Sequence, residues 1–197
     1  MTRAHRIARR IAHAVIVGVL LSVCVVGAQS ITPPSSDFTP YIEGELVRVS
    51  VPSNWRELPG VNAVTFAPDG AYANVGVKSV FTLGLGMGLA RNDKRNMRIT
   101  TDDFIHLYVL ADRSPRRTFR YRRVRIADRP GLRTVLLTVS EATGEPERIE
   151  VFTTLLRDGT LFYVLAVTPR DCVVDYASTF RRVVGSIEIM DCDQCVR

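Results

Sequence analysis

Histidine is scarce in this chain: three occur among 197 residues, and His5 and His13 sit near the start. His106 is the one left beyond them, which excludes an HExxH zinc site and any multi-histidine metal centre in the body of the protein. Lysine is as rare, Lys78 and Lys94 being the only two of 26 basic residues, and Trp55 is the single tryptophan. Long apolar runs are limited to one, which excludes a polytopic membrane protein. Glycine and proline, 13 and 10, are ordinary, so collagen-like and low-complexity classes are excluded too. No internal repeat is visible. What is present is apolar: 46% of residues are hydrophobic and 23% charged, in a length suited to one domain.

The formal net charge of +6 is misleading. Residues 1–28 contain Arg3, Arg6, Arg9 and Arg10 and no acid, so the remainder holds 22 basic against 20 acidic side chains. A charge near +2 gives no global nucleic-acid footprint, and no nucleic acid is expected as partner.

Met1–Arg10 is basic, Ile11–Val26 apolar, and Gly27-Ala28 small. This is the pattern of a secretory signal over residues 1–28, cut after Ala28, and it places the protein in the periplasm or outside the cell. Two alternatives stay open. The apolar stretch approaches the length of an uncleaved anchor to the inner membrane, and Leu21-Ser22-Val23-Cys24 resembles a lipobox with Cys24 as the lipidated residue. Residues 29–44, with Pro33, Pro34 and Pro40, read as a Pro/Ser-rich tether. Residues 45–190 read as a single domain and 191–197 as a cysteine-containing tail.

Within the domain, Leu46–Val51 alternates as a half-buried strand and Val64–Phe66 as a short one. Ser79–Ala90 alternates over a longer stretch, with Gly84, Gly86 and Gly88 on one face. This G-x-G-x-G lacks the third glycine of a dinucleotide fingerprint and the Lys-Ser/Thr of a P-loop, so it predicts close approach of another backbone instead. Thr100–Asp112 reads as a helix with Phe104, Leu107, Tyr108 and Ala111 inward and His106 facing solvent. Thr118–Ala127, Gly131–Ala142, Glu147–Arg157 and Thr160–Thr168 read as four strands, with Asp158-Gly159 the strongest hairpin turn. Asp171–Val184 is a helix closed by Gly185, and Ser186–Met190 a last strand. The fold class is therefore α+β: an antiparallel sheet of seven or eight strands covered by two main helices.

Catalytic constellations are not apparent. An outward-facing His106 serves no Ser-His-Asp or Cys-His arrangement, and Asp102-Asp103 are accounted for by a helix start. No catalytic residue, metal ligand or cofactor is assigned. The local feature that stands out is a run of seven arginines in 13 residues, Arg113, Arg116, Arg117, Arg120, Arg122, Arg123 and Arg125. Interleaved with Phe119 and Tyr121, it is read as a site for an anionic surface or an acidic partner, against the plainer reading of a charged edge strand that resists aggregation.

The cysteines point to an oxidising compartment. Cys192-Asp193-Gln194-Cys195 spells C-x-x-C, but its place near the end of the sequence, between aspartates, argues against a redox motif. A disulfide between Cys172 and Cys192 is expected. A helix of about 14 residues advances roughly 20 Å, and seven residues of returning strand cover about 23 Å, which brings the two together if the strand retraces the helix. Cys172–Cys195 is the alternative.

Five blocks in order carry a resemblance. They are Val51-Pro52-Ser53-Asn54-Trp55, Val64–Tyr72, Ala90-Arg91-Asn92, Val139–Gly144, and Leu155–Gly159 through Pro169-Arg170-Asp171. Together they resemble the PsbP/Mog-like class, in particular the domain attached C-terminally to some envelope-associated, HtpX-like zinc peptidases. The resemblance implies an α/β/α sandwich acting as a binding or assembly module. The peptidase domain is missing, so protease activity is not implied. The leading expectation is a non-enzymatic envelope module that binds a macromolecule or anionic surface. The rivals are a small-molecule or lipid binder with a cleft in the sandwich, and an unrecognised hydrolase. Contact with the membrane is expected only through an uncleaved signal segment.

Overall fold

The computed structural model describes residues 25–26, 29–43, 46–75, 78–91, 96–110 and 119–191. In chain order its elements are β1 (Val25–Val26), β2 (Gln29–Ser30), β3 (Phe38–Glu43), β4 (Val47–Pro52), β5 (Trp55–Gly60), β6 (Ala63–Pro68), β7 (Tyr72–Val75), β8 (Lys78–Phe81) and β9 (Gly84–Ala90). Then come α1 (Met97–Phe104) with a π-helix over Ile105–Val109, β10 (Arg122–Ile126), β11 (Arg129–Val139), β12 (Pro146–Leu155), β13 (Leu161–Pro169), α2 (Val173–Gly185) and β14 (Glu188–Ile189). Seven strands form an antiparallel sheet in the order β10-β11-β12-β13-β9-β6-β5, and β14-β4-β3 form a second. The fold is α+β, as its sequence predicts.

Alternation along β13 divides the structure into layers. Phe162, Val164 and Ala166 face the larger core, where Val47, Val49 and Val51 of β4 and Tyr176, Phe180 and Val183 of α2 cover the sheet. Leu161 and Val167, with Tyr163 and Leu165 beside them, face Phe104 and Ile105 on the other side. The turns are local. Gly159 (φ 88°) closes the β12–β13 hairpin, and Asp158 accepts hydrogen bonds from the Thr160 N–H and hydroxyl at 2.8 Å each. Ala127 and Asp128 take φ values of 47° and 62° at the β10–β11 turn, as a tight hairpin demands.

The alternating glycines do what their spacing suggests. A Cβ built on Gly88 would stand 2.5 Å from the Asn62 carbonyl oxygen and 2.7 Å from the Tyr163 hydroxyl. One on Gly84 would stand 2.4 Å from the Phe66 carbonyl oxygen. The stretch is nevertheless broken, because the Thr82 and Leu83 N–H groups both turn to the Ala71 carbonyl, at 2.7 and 3.3 Å.

Two sequence expectations give way here. The stretch read as a tether is built into the fold: Ile31 is 1% exposed in the larger core, and β3 pairs with β4 from Phe38 to Glu43. Asn54 donates to the Pro33 carbonyl and accepts from the Ser35 N–H, both at 2.8 Å. Arg182 donates to the Ser36 carbonyl at 3.1 Å and lies 3.7 Å over the Phe38 ring. The helix read from Thr100 starts earlier, capped by the Asn96 side chain, and widens into a π-helix at Ile105. The wider turns shift its phase, so Leu107 and Tyr108 are exposed while Ile105 is fully buried.

The last elements also depart from expectation. α2 crosses the sheet rather than running back along β13: Phe180 packs edge-on against Trp55 of β5, ring centroids 6.0 Å apart, three strands away from β13. β14 then descends beside β4, and Asp191 pairs with Arg129 and accepts from the Arg157 N–H at 3.1 Å. That is the hairpin end of β13, whereas Cys172 follows its other end.

Candidate functional site

β10 is the outer strand of the seven-stranded sheet, and the described part of the arginine run lies on it and just before it. Arg120, Arg122, Arg123 and Arg125 are all exposed, while Arg113, Arg116 and Arg117 lie outside the described residues. Strand alternation splits the strand arginines: Arg122 shares a face with Val124 and the buried Ile126, and Arg123 and Arg125 take the opposite face. Arg125 is partnered by the Asp128 carboxylate at 3.7 Å. The neighbours Arg133 and Arg148 are held by Glu150, at 2.6 and 2.8 Å, and Arg129 by Asp191. The result is a charged edge rather than one flat basic plate.

A second feature was not foreseen at the residue level. Between the π-helix and the sheet lies an open groove of about 660 Å³. Its floor is Leu136, Ile149, Leu165 and Val167, and its walls include Phe81, Tyr108, Leu110 and Phe119. It exists because the π-helix ends at Val109 while β11 and β12 run on to Val139 and Pro146, leaving their far ends uncovered by α1. Tyr108, Leu137 and Val139 at its rim are 70%, 69% and 63% exposed. The groove's polar end holds Thr138, Ser140, Glu141 and Glu147. Burial raises the Glu147 carboxyl above its ordinary value, offset in part by the hydrogen bond it accepts from Thr138 Oγ1 at 2.9 Å. Alternation marked these strands as half-buried, but the uncovered stretch depends on where the helix stops.

His106 is not the solvent-facing residue that a regular helix predicts. Its Nδ1 lies 2.8 Å from the Asp102 carbonyl oxygen, which can only accept, so the ring donates from Nδ1. Nε2 is buried with no partner among the described residues, and the ring lies 5.2 Å from that of Phe119. The π-helix causes this turn inward. On the same helix, Asp102 accepts from the Tyr121 hydroxyl, and burial followed by that bond raises the Tyr121 phenol. Among the described residues no cluster of three His, Cys, Asp or Glu side chains is placed to hold a metal ion.

Cys172 is 2% exposed and is not a free thiol. Cys24, Cys192 and Cys195 lie outside the described residues, as does most of the signal segment. Asp191, the neighbour of Cys192, is separated from Cys172 by nearly the length of β13, about 26 Å at roughly 3.3 Å per residue. Cys172 is disulfide-bonded, and the expected Cys172–Cys192 pairing falls on a residue outside the described ones.

No family model matches the sequence, and no curated protein is similar to it. Solved structures are similar in fold. The chain superposes on a protein from Bacteroides thetaiotaomicron VPI-5482 with a TM-score of 0.48 and 14% identity, over 76% of this chain and 47% of that one. It therefore spans about half the length of the Bacteroides protein. LpqN, involved in cell envelope biogenesis of Mycobacterium tuberculosis, matches with a TM-score of 0.44 and 11% identity, over 78% of this chain and 91% of LpqN. The solution structure of cyanobacterial PsbP (CyanoP) from Synechocystis sp. PCC 6803 matches with a TM-score of 0.50 and 16% identity, over 86% of this chain and 98% of that one. The narrower resemblance to the domain attached to HtpX-like peptidases draws no support from these structures. The likeness to CyanoP shows a PsbP-like α+β fold.

Proposed function

We propose that this protein is a non-enzymatic binding module of the cell envelope, and that the groove beside the π-helix is its binding site. The groove itself carries the reading: about 660 Å³, open to solvent, with an apolar floor and a few polar groups at one end. Those are the size and lining of sites for small molecules and lipids. The basic N-terminal segment followed by an apolar stretch supports the envelope location. Among the described residues no helix is long and apolar enough to cross a membrane. His106 is engaged with a backbone carbonyl and packed on Phe119, which supports binding rather than catalysis. Fluorescence titration with a neutral naphthyl probe tests the reading. Saturable binding that Leu165→Trp abolishes, with circular dichroism unchanged, supports it. Binding that survives both Leu165→Trp and Val167→Phe overturns it.

A second reading keeps the arginine edge as a contact for an anionic surface or acidic partner. It is favoured by Arg120, Arg122 and Arg123, which are exposed and have no carboxylate partner among the described residues. Exposed charges of this kind act through screened attraction, which falls with ionic strength. The triple variant Arg116→Gln, Arg120→Gln, Arg122→Gln should weaken binding to anionic vesicles, and rising salt should weaken the parent protein's binding. Vesicle binding indifferent to both rules the contact out.

A further inference from the structure

One face of β11 is apolar and bare. Leu136 packs in the smaller core with Phe104 and Ile105. Alternation therefore turns Val135, Leu137 and Val139 to the opposite side of the sheet, where they are 37%, 69% and 63% exposed. On that side α2 covers β13 and then crosses toward Trp55 of β5, away from β11. Single exposed apolar side chains are ordinary, whereas a contiguous apolar patch with a polar rim marks an interaction site.

The rim of this patch is basic. Phe119 is buried in the smaller core and Tyr121 donates to Asp102 of α1, so Arg120 and Arg122 alternate to the bare side, both exposed. The Arg120 carbonyl accepts from Thr134 Oγ1 at 2.9 Å, which sets Arg120 beside Val135. On the other flank, Leu137 stands opposite Arg148 and Val135 opposite Glu150. Glu150 is held by Arg133 and Arg148, at 2.6 and 2.8 Å, so the one carboxylate in register with the stripe is answered by two arginines. Glu141 and Glu145 lie in the turn beyond Val139, which centres the patch on Val135 and Leu137.

An apolar stripe between guanidinium groups suits the boundary of an anionic bilayer. There apolar side chains enter the acyl region while arginines stay among the phosphates, which they bind bidentately. A partner that is only acidic answers the arginines and leaves Leu137 in water. We propose that this end of the sheet docks on an anionic lipid bilayer, with Val135 and Leu137 entering the acyl boundary and Arg120 and Arg122 on lipid phosphates. This rests on the reading of the arginine edge as an anion contact, to which it adds the apolar half and the orientation.

Tryptophan quenching by brominated phosphatidylglycerol vesicles, with Leu137→Trp in the full chain, tests the docking. The readout is local, so membrane binding through the apolar residues 11–26 does not mimic it. Val61→Trp is the control, 93% exposed in the turn after β5 at the opposite edge of the sheet. Trp55, 7% exposed, is the same background in both. Quenching should be at least threefold greater for Leu137→Trp than for the control, and should fall to the control level on brominated phosphatidylcholine. Adding Arg120→Gln and Arg122→Gln should remove most of it, as should high salt. Quenching no greater than the control overturns the docking. If the Arg116→Gln, Arg120→Gln, Arg122→Gln variant still weakens vesicle binding in that case, the arginine edge stands as a contact that does not enter the bilayer. Quenching that persists on neutral lipid, or without both arginines, shows the introduced tryptophan partitioning on its own and overturns the docking as well. Failure of both tests removes the edge reading and the docking together.

Discussion

Replacing Ile31 by alanine tests whether the segment before β3 belongs to the folded domain. Ile31 is 1% exposed and packed in the larger core. Truncation removes three carbons at about 0.8 kcal/mol each, roughly 2.4 kcal/mol of transfer free energy. A residual cavity adds to this, and Ile→Ala substitutions in cores span about 2–5 kcal/mol. The expected loss is about 2–4 kcal/mol. For a domain of this size each kcal/mol lowers Tm by about 2–4 °C, so Tm should fall by roughly 5–15 °C. Trp55, the single tryptophan and 7% exposed, reports unfolding directly. Urea titration followed by its fluorescence should show a lower midpoint at unchanged slope. Val61→Ala, at a position 93% exposed, is the control and should stay within about 0.5 kcal/mol of the parent. A loss below about 0.5 kcal/mol for Ile31→Ala would refute the docking and return residues 29–44 to the status of a tether.

Three further outcomes follow from particular contacts. Gly88→Ala forces a Cβ to within 2.5 Å of the Asn62 carbonyl oxygen and should destabilise by about 1–3 kcal/mol in the same titration, whereas a neutral or stabilising effect contradicts the close approach. The raised Glu147 carboxyl means the folded state holds its proton to higher pH than the unfolded state does. Its contribution is complete below the unfolded value, near pH 4.5, and is lost as pH rises through the folded one. Glu147→Gln should therefore gain on the parent protein as pH rises from about 4.5 toward neutrality, steepening the acid limb of stability against pH; parallel curves would sink this. Peptide mapping without reductant should recover Cys172 in a cross-linked peptide, and Cys172 recovered as a free thiol would contradict the disulfide.

The elements legible in the sequence are those whose signal is local. Asp158-Gly159 marks its hairpin because only glycine takes the required φ cheaply and the Asp158 carboxylate binds the backbone two residues on. The alternation of β11 to β13, the apolar stripe of α2 and the close approach at Gly88 are likewise properties of short windows. Each says which side of an element is buried, and the α+β class follows from their order. It does not say what covers that side. Ile31 is locked because a hydrophobic slot is assembled from β4 and α2, elements that a Pro-rich polar stretch gives no hint of. His106 turns inward because the helix widens at Ile105, a change of period that no apolar spacing announces. The groove depends on where the described helix stops over the sheet, which the alternation of β11 and β12 does not announce. The path of the chain after Cys172 depends on the direction of α2, set by Phe180 finding Trp55 three strands away, and direction is a property of the packed surface rather than of the chain.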